Sequence, residues 1–254
     1  MIAIEFRLKV SSMYSIRVPY SYQCARTYPL PAPSTIKGLC ANALWRKEGG
    51  DPVALMKTIH EVSLGATSRA EQSIAVSSCT VQMVPKNVLL RQFAFTPNID
   101  CLIVFRDDGE NVGKRVEEAL KVSPIYLGDS ESLVCVKPES IYSTEIVEDV
   151  TKGQEVIVNS LLKFDFIKDK PIDKKGIALY MQDDPIDSEA VLERYIAPLI
   201  QEGDNYKPLN SISFISAKKA FIVKGQRVRG IFCYEDKQTE KVTQKSKRGR
   251  KKKE

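Results

Sequence analysis

From Ile2 to Val10 the chain alternates. Ile2, Ile4, Phe6, Leu8 and Val10 are apolar, and Glu5, Arg7 and Lys9 between them are charged. A period of two is that of a half-buried strand. A long loop is expected over residues 11–33. Its end carries Pro29, Pro31 and Pro33, which fix φ and favour an extended, polyproline-like run. The period then changes. Ile36, Leu39, Cys40, Ala43 and Leu44 recur at helical spacing, which predicts a core-facing helix to about Lys47, ended by Gly49-Gly50-Asp51-Pro52. Ser34 is the expected N-cap, its hydroxyl accepting from the amide of Ile36 or Lys37. Strands are predicted over 59–66, 74–84, 88–95 and 101–105. A second amphipathic helix over 111–122 turns Val112, Val116, Ala119 and Leu120 inward, and a short strand and turn follow at 124–128.

Strand, helix, strands, helix, strand is the βαββαβ order of a ferredoxin-like (RRM-like) α+β domain, placed at residues 1–130. Its antiparallel sheet carries helices on one face. The other face can stay open, and RNA-recognition domains use that face. Residues 131–236 form a β-rich second half or extension. Val156, Val158, Leu162, Phe164 and Phe166 fall on alternating apolar positions, and further short strands are predicted over 177–181, 211–215, 220–223 and 228–234. One helix is expected over 188–196, limited by Pro198.

Residues 237–254 hold nine Lys/Arg and two acids, a net of +7. The whole chain is +6, so residues 1–236 carry −1. The tail has no apolar face and is expected to be disordered alone. A nucleic-acid surface on the near-neutral body must be a local patch. The six cysteines contain no Cys-x-x-Cys pair and read as buried free thiols. With a single histidine, a Cys/His metal site is not expected, nor is any cofactor. No apolar run reaches the roughly 18 residues of a membrane span, and the first residues lack a signal-peptide layout. No membrane partner is expected, and the location expected is the cytoplasm.

Walker, G-x-G-x-x-G and G-x-S-x-G motifs are absent. Asp183-Asp184 beside Pro185 reads as a solvated turn. His60 reads as a strand residue without a convergent partner, so no catalytic residue is assigned. The loop before the first helix is richer. Arg17, Tyr20, Tyr22, Arg26 and Tyr28 interleave aromatic and basic groups. Tyrosines offer stacking faces for unpaired bases, and arginines offer bidentate phosphate contacts. The helix start adds Ser34, Thr35 and Lys37 near free amides and a positive dipole end, which suits a phosphate. Arg91, on a strand, is a further RNA-binding candidate. The plain alternative is a capped helix whose loop packs on the sheet.

Arg26, Tyr28, Pro31, Pro33, Ser34, Thr35, Gly38 and Leu39, with the later Pro124-Ile-Tyr-Leu-Gly128, resemble the Cas-five family of CRISPR-associated proteins, in the RAMP superfamily. The resemblance covers the first half of the chain, and the second half looks most like the archaeal I-A branch. It implies a non-catalytic subunit of a type I Cascade surveillance complex that binds the 5′ handle of the guide (cr)RNA for antiviral defence. The implied partners are the guide RNA, the Cascade backbone subunit, the large subunit and, through the assembled complex, target DNA. One branch of the family cleaves precursor guide RNA with a Tyr, Lys and His constellation, and no Lys-His pair is legible here. Two rival readings stand beside this one: a metal-independent endoribonuclease that processes precursor guide RNA, and a stand-alone RNA-recognition module.

Overall fold

The computed structural model describes residues 1–21, 24–84, 87–128, 132–144, 147–168, 175–186 and 192–234, the side chains of 81–84 and 87–89 excepted. Tyr22, the tail and residues 188–191 of the expected third helix lie outside the described residues. The first elements are β1 (Ile2–Val10), β2 (Cys24–Ala25), α1 (Pro33–Glu48), α2 (Pro52–Val62), β3 (Ser63–Ala70), β4 (Ala75–Val84), β5 (Asn87–Phe95), β6 (Asn98–Phe105), α3 (Glu110–Val122), β7 (Ile125–Tyr126), β8 (Leu133–Val136) and β9 (Tyr142–Thr144). Ten short strands follow: β10 (Val147–Val150), β11 (Glu155–Val158), β12 (Leu162–Lys163), β13 (Ile177–Met181), β14 (Glu193–Ala197), β15 (Leu199–Glu202), β16 (Asn205–Pro208), β17 (Ile212–Ile215), β18 (Ala220–Lys224) and β19 (Arg229–Phe232). The chain is thus α+β with a β-rich C-terminal region. Among the described residues no helix is long and apolar enough to cross a membrane.

The main sheet runs β3-β6-β1-β8-β7, with β9 also paired to β1, and all its pairs are antiparallel. Central β1 obeys its sequence pattern. Ile4, Phe6 and Leu8 are fully buried in one core with Ile36, Leu39 and Leu44 of α1 and Val116 and Leu120 of α3. Each such side chain contributes roughly 1.5–3 kcal/mol. In general terms this is the ferredoxin-like arrangement, with differences. The strand at 124–128 exists as β7 but lies at the edge, and β8 and β9 take the place beside β1.

The second face of the sheet is not open over Ala3, Leu102 and Val104. Phe221, Val223 and Phe232, from the hairpin β18–β19, bury against them. The same hairpin brings Arg227 to Glu5, which is completely buried. RRM-like use of that part of the face is therefore closed off by the chain itself.

Three segments differ in kind from the sequence expectation. β12 stops at Lys163, and Phe164–Phe166 form a single 3-10 turn instead of continuing the alternating strand. Residues 59–62 end a helix, α2, rather than begin a strand. Asp51 caps it by accepting from the Val53 amide at 3.0 Å, and Pro52 occupies its first turn. The segment expected to complete a helix by residue 196 instead forms β14, the middle strand of β12-β14-β13, with Tyr195 and Ile196 buried. All six cysteines are free, but only Cys40 and Cys101 are buried, while Cys79 and Cys135 are exposed.

Candidate nucleic-acid interface

The proline run delivers the chain to α1, but the cap is not the one expected. Ala32 is the N-cap and makes no side-chain hydrogen bond. Pro33 is the first helical residue, so Ser34 sits inside the first turn. The Ser34 amide donates to the Gln182 carbonyl at 3.2 Å. One of the free amides expected at this helix start is therefore already taken by the C-terminal half.

Lys37 is taken as well. Its side chain is 2% exposed, and its ammonium donates to the Asp183 carboxylate at 2.7 Å and the Asp183 carbonyl at 3.1 Å. The third contact is with His60 Nδ1 at 3.3 Å. A Lys37 proton directed at Nδ1 requires that nitrogen to be an acceptor, so His60 is neutral with its proton on Nε2, which faces Asp184 Oδ2 at 3.7 Å. Burial, and then the Lys37 charge, hold the His60 pKa below its usual value. The ammonium has three donors and all three have acceptors, which leaves none for a phosphate. The Lys-His contact, illegible in sequence, exists; it fastens α1 and α2 to the segment at 182–184.

Tyr28 is buried, and its hydroxyl donates to the Tyr180 carbonyl. Burial raises its pKa to about 12. This ring is a packing element and offers no face to a base. Tyr20 is the opposite: it is 74% exposed at φ 60°, a left-handed conformation rare for a bulky residue. Arg26 is exposed beside β2, which pairs parallel to β5 so that Ala25 lies opposite Arg91. The Arg26 charge reaches Tyr206, and the Arg91 guanidinium stacks 4.9 Å from the Phe93 ring centroid. Arg26 and Arg91 thus lie at the same end of the β2–β5 ladder, with Ala25 rather than Arg26 directly opposite Arg91.

Arg17 and Thr35 converge elsewhere. With Gly38, Asn42, Tyr126 and Gly128 they line an open groove of about 400 Å³ beside α1. The groove joins the first motif segment, through Thr35 and Gly38, to the Tyr-Leu-Gly turn, through Tyr126 and Gly128. Among the described residues no carboxylate pairs with Arg17, Arg26 or Arg46. Sequence reasoning did not single out Asn42 and Tyr126, which line this groove, or Arg46 beside them, as candidates. The available signal was the outward stripe Thr35, Gly38, Asn42, Arg46, spaced by three, four and four. No group of three or more metal-capable side chains occurs among the described residues.

The family model described as CRISPR-associated protein (Cas_Cas5) matches residues 4–211. No curated protein matches the chain. Among solved structures, the crystal structure of a CRISPR protein from Archaeoglobus fulgidus is similar at TM-score 0.59 and 13% identity, covering 92% of this chain and 100% of that one, which shows a common fold. Weaker similarity, at TM-score 0.42 for both, extends to a crystal structure of a Cas protein (16% identity, 76% of this chain and 92% of that one) and to a CRISPR RNA-guided surveillance complex (13%, 84% and 91%). Since the family match runs through both the α1 motif and the Tyr-Leu-Gly turn and takes in most of the chain, the protein belongs to the Cas-five family of CRISPR-associated proteins, in the RAMP superfamily.

Proposed function

We propose that the protein is a non-catalytic RNA-binding subunit of a type I Cascade surveillance complex, and that the groove beside α1 receives the 5′ handle of the guide RNA. The observation that carries this is the open groove in which Arg17, free of any carboxylate among the described residues, faces Thr35 and Tyr126. Phosphate contacts from Arg17 and the Thr35 hydroxyl position a strand, and a fixed handle sequence allows direct reading of its bases besides. Arg26 and Arg91, at the β2–β5 ladder, provide a second contact region, and exposed Tyr20 a stacking candidate. The Cascade backbone and large subunits are the proposed protein partners, and target DNA is reached through the assembled complex. Members of this family are typically non-catalytic.

Arg17→Ala combined with Arg26→Ala should weaken binding of repeat-derived handle RNA by tenfold or more, since a charged hydrogen bond is worth about 1.5–3 kcal/mol. Deleting residues 237–254 should cost less. Equal affinity for unrelated RNA, or a larger loss on tail deletion, would overturn this reading in favour of a stand-alone module.

The Lys37–His60 contact supports a second reading, metal-independent cleavage of precursor guide RNA. Against it, the Nδ1 lone pair is occupied by Lys37, and Lys37 is buried. Incubation of repeat RNA with the protein in chelator should leave the RNA intact. Specific cutting that disappears in His60→Ala would establish the nuclease instead.

A further inference from the structure

Arg46 lies near the far end of α1 from Thr35. Its Nε donates to Asn42 Oδ1 at 3.0 Å. Its guanidinium carbon sits 5.1 Å from the Tyr126 ring centroid and 5.8 Å from that of Trp45. Both distances are within cation–π range. The nearby carboxylate Glu48 is engaged by Arg115. Arg46 is thus an exposed cation without a carboxylate partner among the described residues, yet its plane is fixed by one hydrogen bond and two rings. Surface arginines usually lose side-chain entropy on engaging a ligand; here much of that loss is already incurred.

We infer that Arg46, oriented by Asn42 and Tyr126, is a phosphate clamp for unpaired RNA at the end of the α1 groove, engaging a different nucleotide from the one at Thr35. This rests on the handle reading above and extends it. Thr35 and Arg46 are eleven residues apart on one helix, about 16 Å along its axis. A single phosphate cannot touch both, so the strand must run along the outward stripe of α1. Among the described residues the terminal nitrogens of Arg46 have no hydrogen-bond partner, and they form a fork that matches two phosphate oxygens. Lysine in its place would keep the charge and lose the fork, the stack and the bond to Asn42.

The test is fluorescence anisotropy of full-length protein with labelled repeat-derived RNA across a salt series. Arg46→Ala should weaken binding by about tenfold and lower the salt slope by about 0.7, the share of one single-strand phosphate contact. Arg46→Lys should keep the slope and still lose affinity. Tyr126→Leu should behave like Arg46→Lys, because the charge stays and its orientation is lost. If Arg46→Ala retains both affinity and slope while Arg17→Ala does not, the clamp is wrong and the handle reading stands. If wild-type protein fails to bind repeat-derived RNA, the handle reading falls and the clamp with it. Full affinity in Arg46→Lys would reduce Arg46 to a diffuse charge and overturn the oriented clamp.

Discussion

Glu5→Ala should cost about 3–5 kcal/mol of folding stability, the usual effect of removing one partner of a buried ion pair. Glu5 is fully buried on the sheet face opposite the helices. Its carboxylate accepts from Arg227 Nε at 2.8 Å and from the amides of Arg227 at 3.1 Å and Val228 at 3.2 Å. The turn passes so close that a Cβ at Gly225 would lie 1.9 Å from Glu5 Oε2. Alanine would leave the buried Val228 amide, the part-buried Arg227 amide and a guanidinium without this acceptor. Asp100 offers Arg227 only a longer contact at 3.4 Å and is itself held by Arg7 at 2.7 and 3.0 Å. Urea unfolding followed by circular dichroism measures the cost. A loss under about 1 kcal/mol would show that the hairpin β18–β19 is held by Phe221, Val223 and Phe232 rather than by this pair.

Gly128→Ala is the second large effect and acts on stability and RNA binding together. Gly128 has φ +87°, where an L-residue costs roughly 1–2 kcal/mol. An added Cβ would stand 2.3 Å from the Ser15 carbonyl oxygen, which is backbone and cannot rotate away. The Tyr126 turn must then separate from the loop that carries Ile16 and Arg17, opening the groove. Gly153 is the matched control, with φ +89° and nothing within 4 Å of an added Cβ. Gly128→Ala should melt several degrees below Gly153→Ala and bind repeat-derived RNA less tightly. Equal melting temperatures would mean that backbone conformation, not contact with Ser15, is what the glycine supplies.

The elements legible in the sequence were those whose pattern is local. α1 and α3 each bury one face, β1 keeps a strict apolar alternation even though Ala3 and Glu5 on its other face are buried too, and the hairpin β4–β5 is rich in β-formers, so period and composition sufficed. α2 was not legible because Ile59 is its only buried residue, so no stripe appears. Gly49-Gly50-Asp51-Pro52 reads as a helix stop, although Asp-Pro is also a helix start. β14 was mistaken because Tyr195, Ile196 and Ala197 are all buried between two strands, and a continuous apolar run has no period of its own. In the candidate site, Thr35 and the turn at 124–128 are legible as motif residues and Arg17 as part of the aromatic-basic loop, but neither signal marks Tyr126 itself as a groove residue. The fate of Lys37 could not: its partner Asp183 lies 146 residues away. A lysine flanking an apolar stripe looks solvated until the distant segment that covers it is known.

The pairing of Glu5 with Arg227 spans 222 residues. At roughly 5–20 residues per second, translation leaves about 11–44 s between the synthesis of the two partners. During that interval β1 can meet α1 and β6, but Ala3, Glu5, Leu102 and Val104 still lack their cover. The half-made protein presents a sheet face with a buried-type carboxylate and apolar neighbours to water, which makes the last hairpin both the slowest contact to form and the step that ends exposure to aggregation.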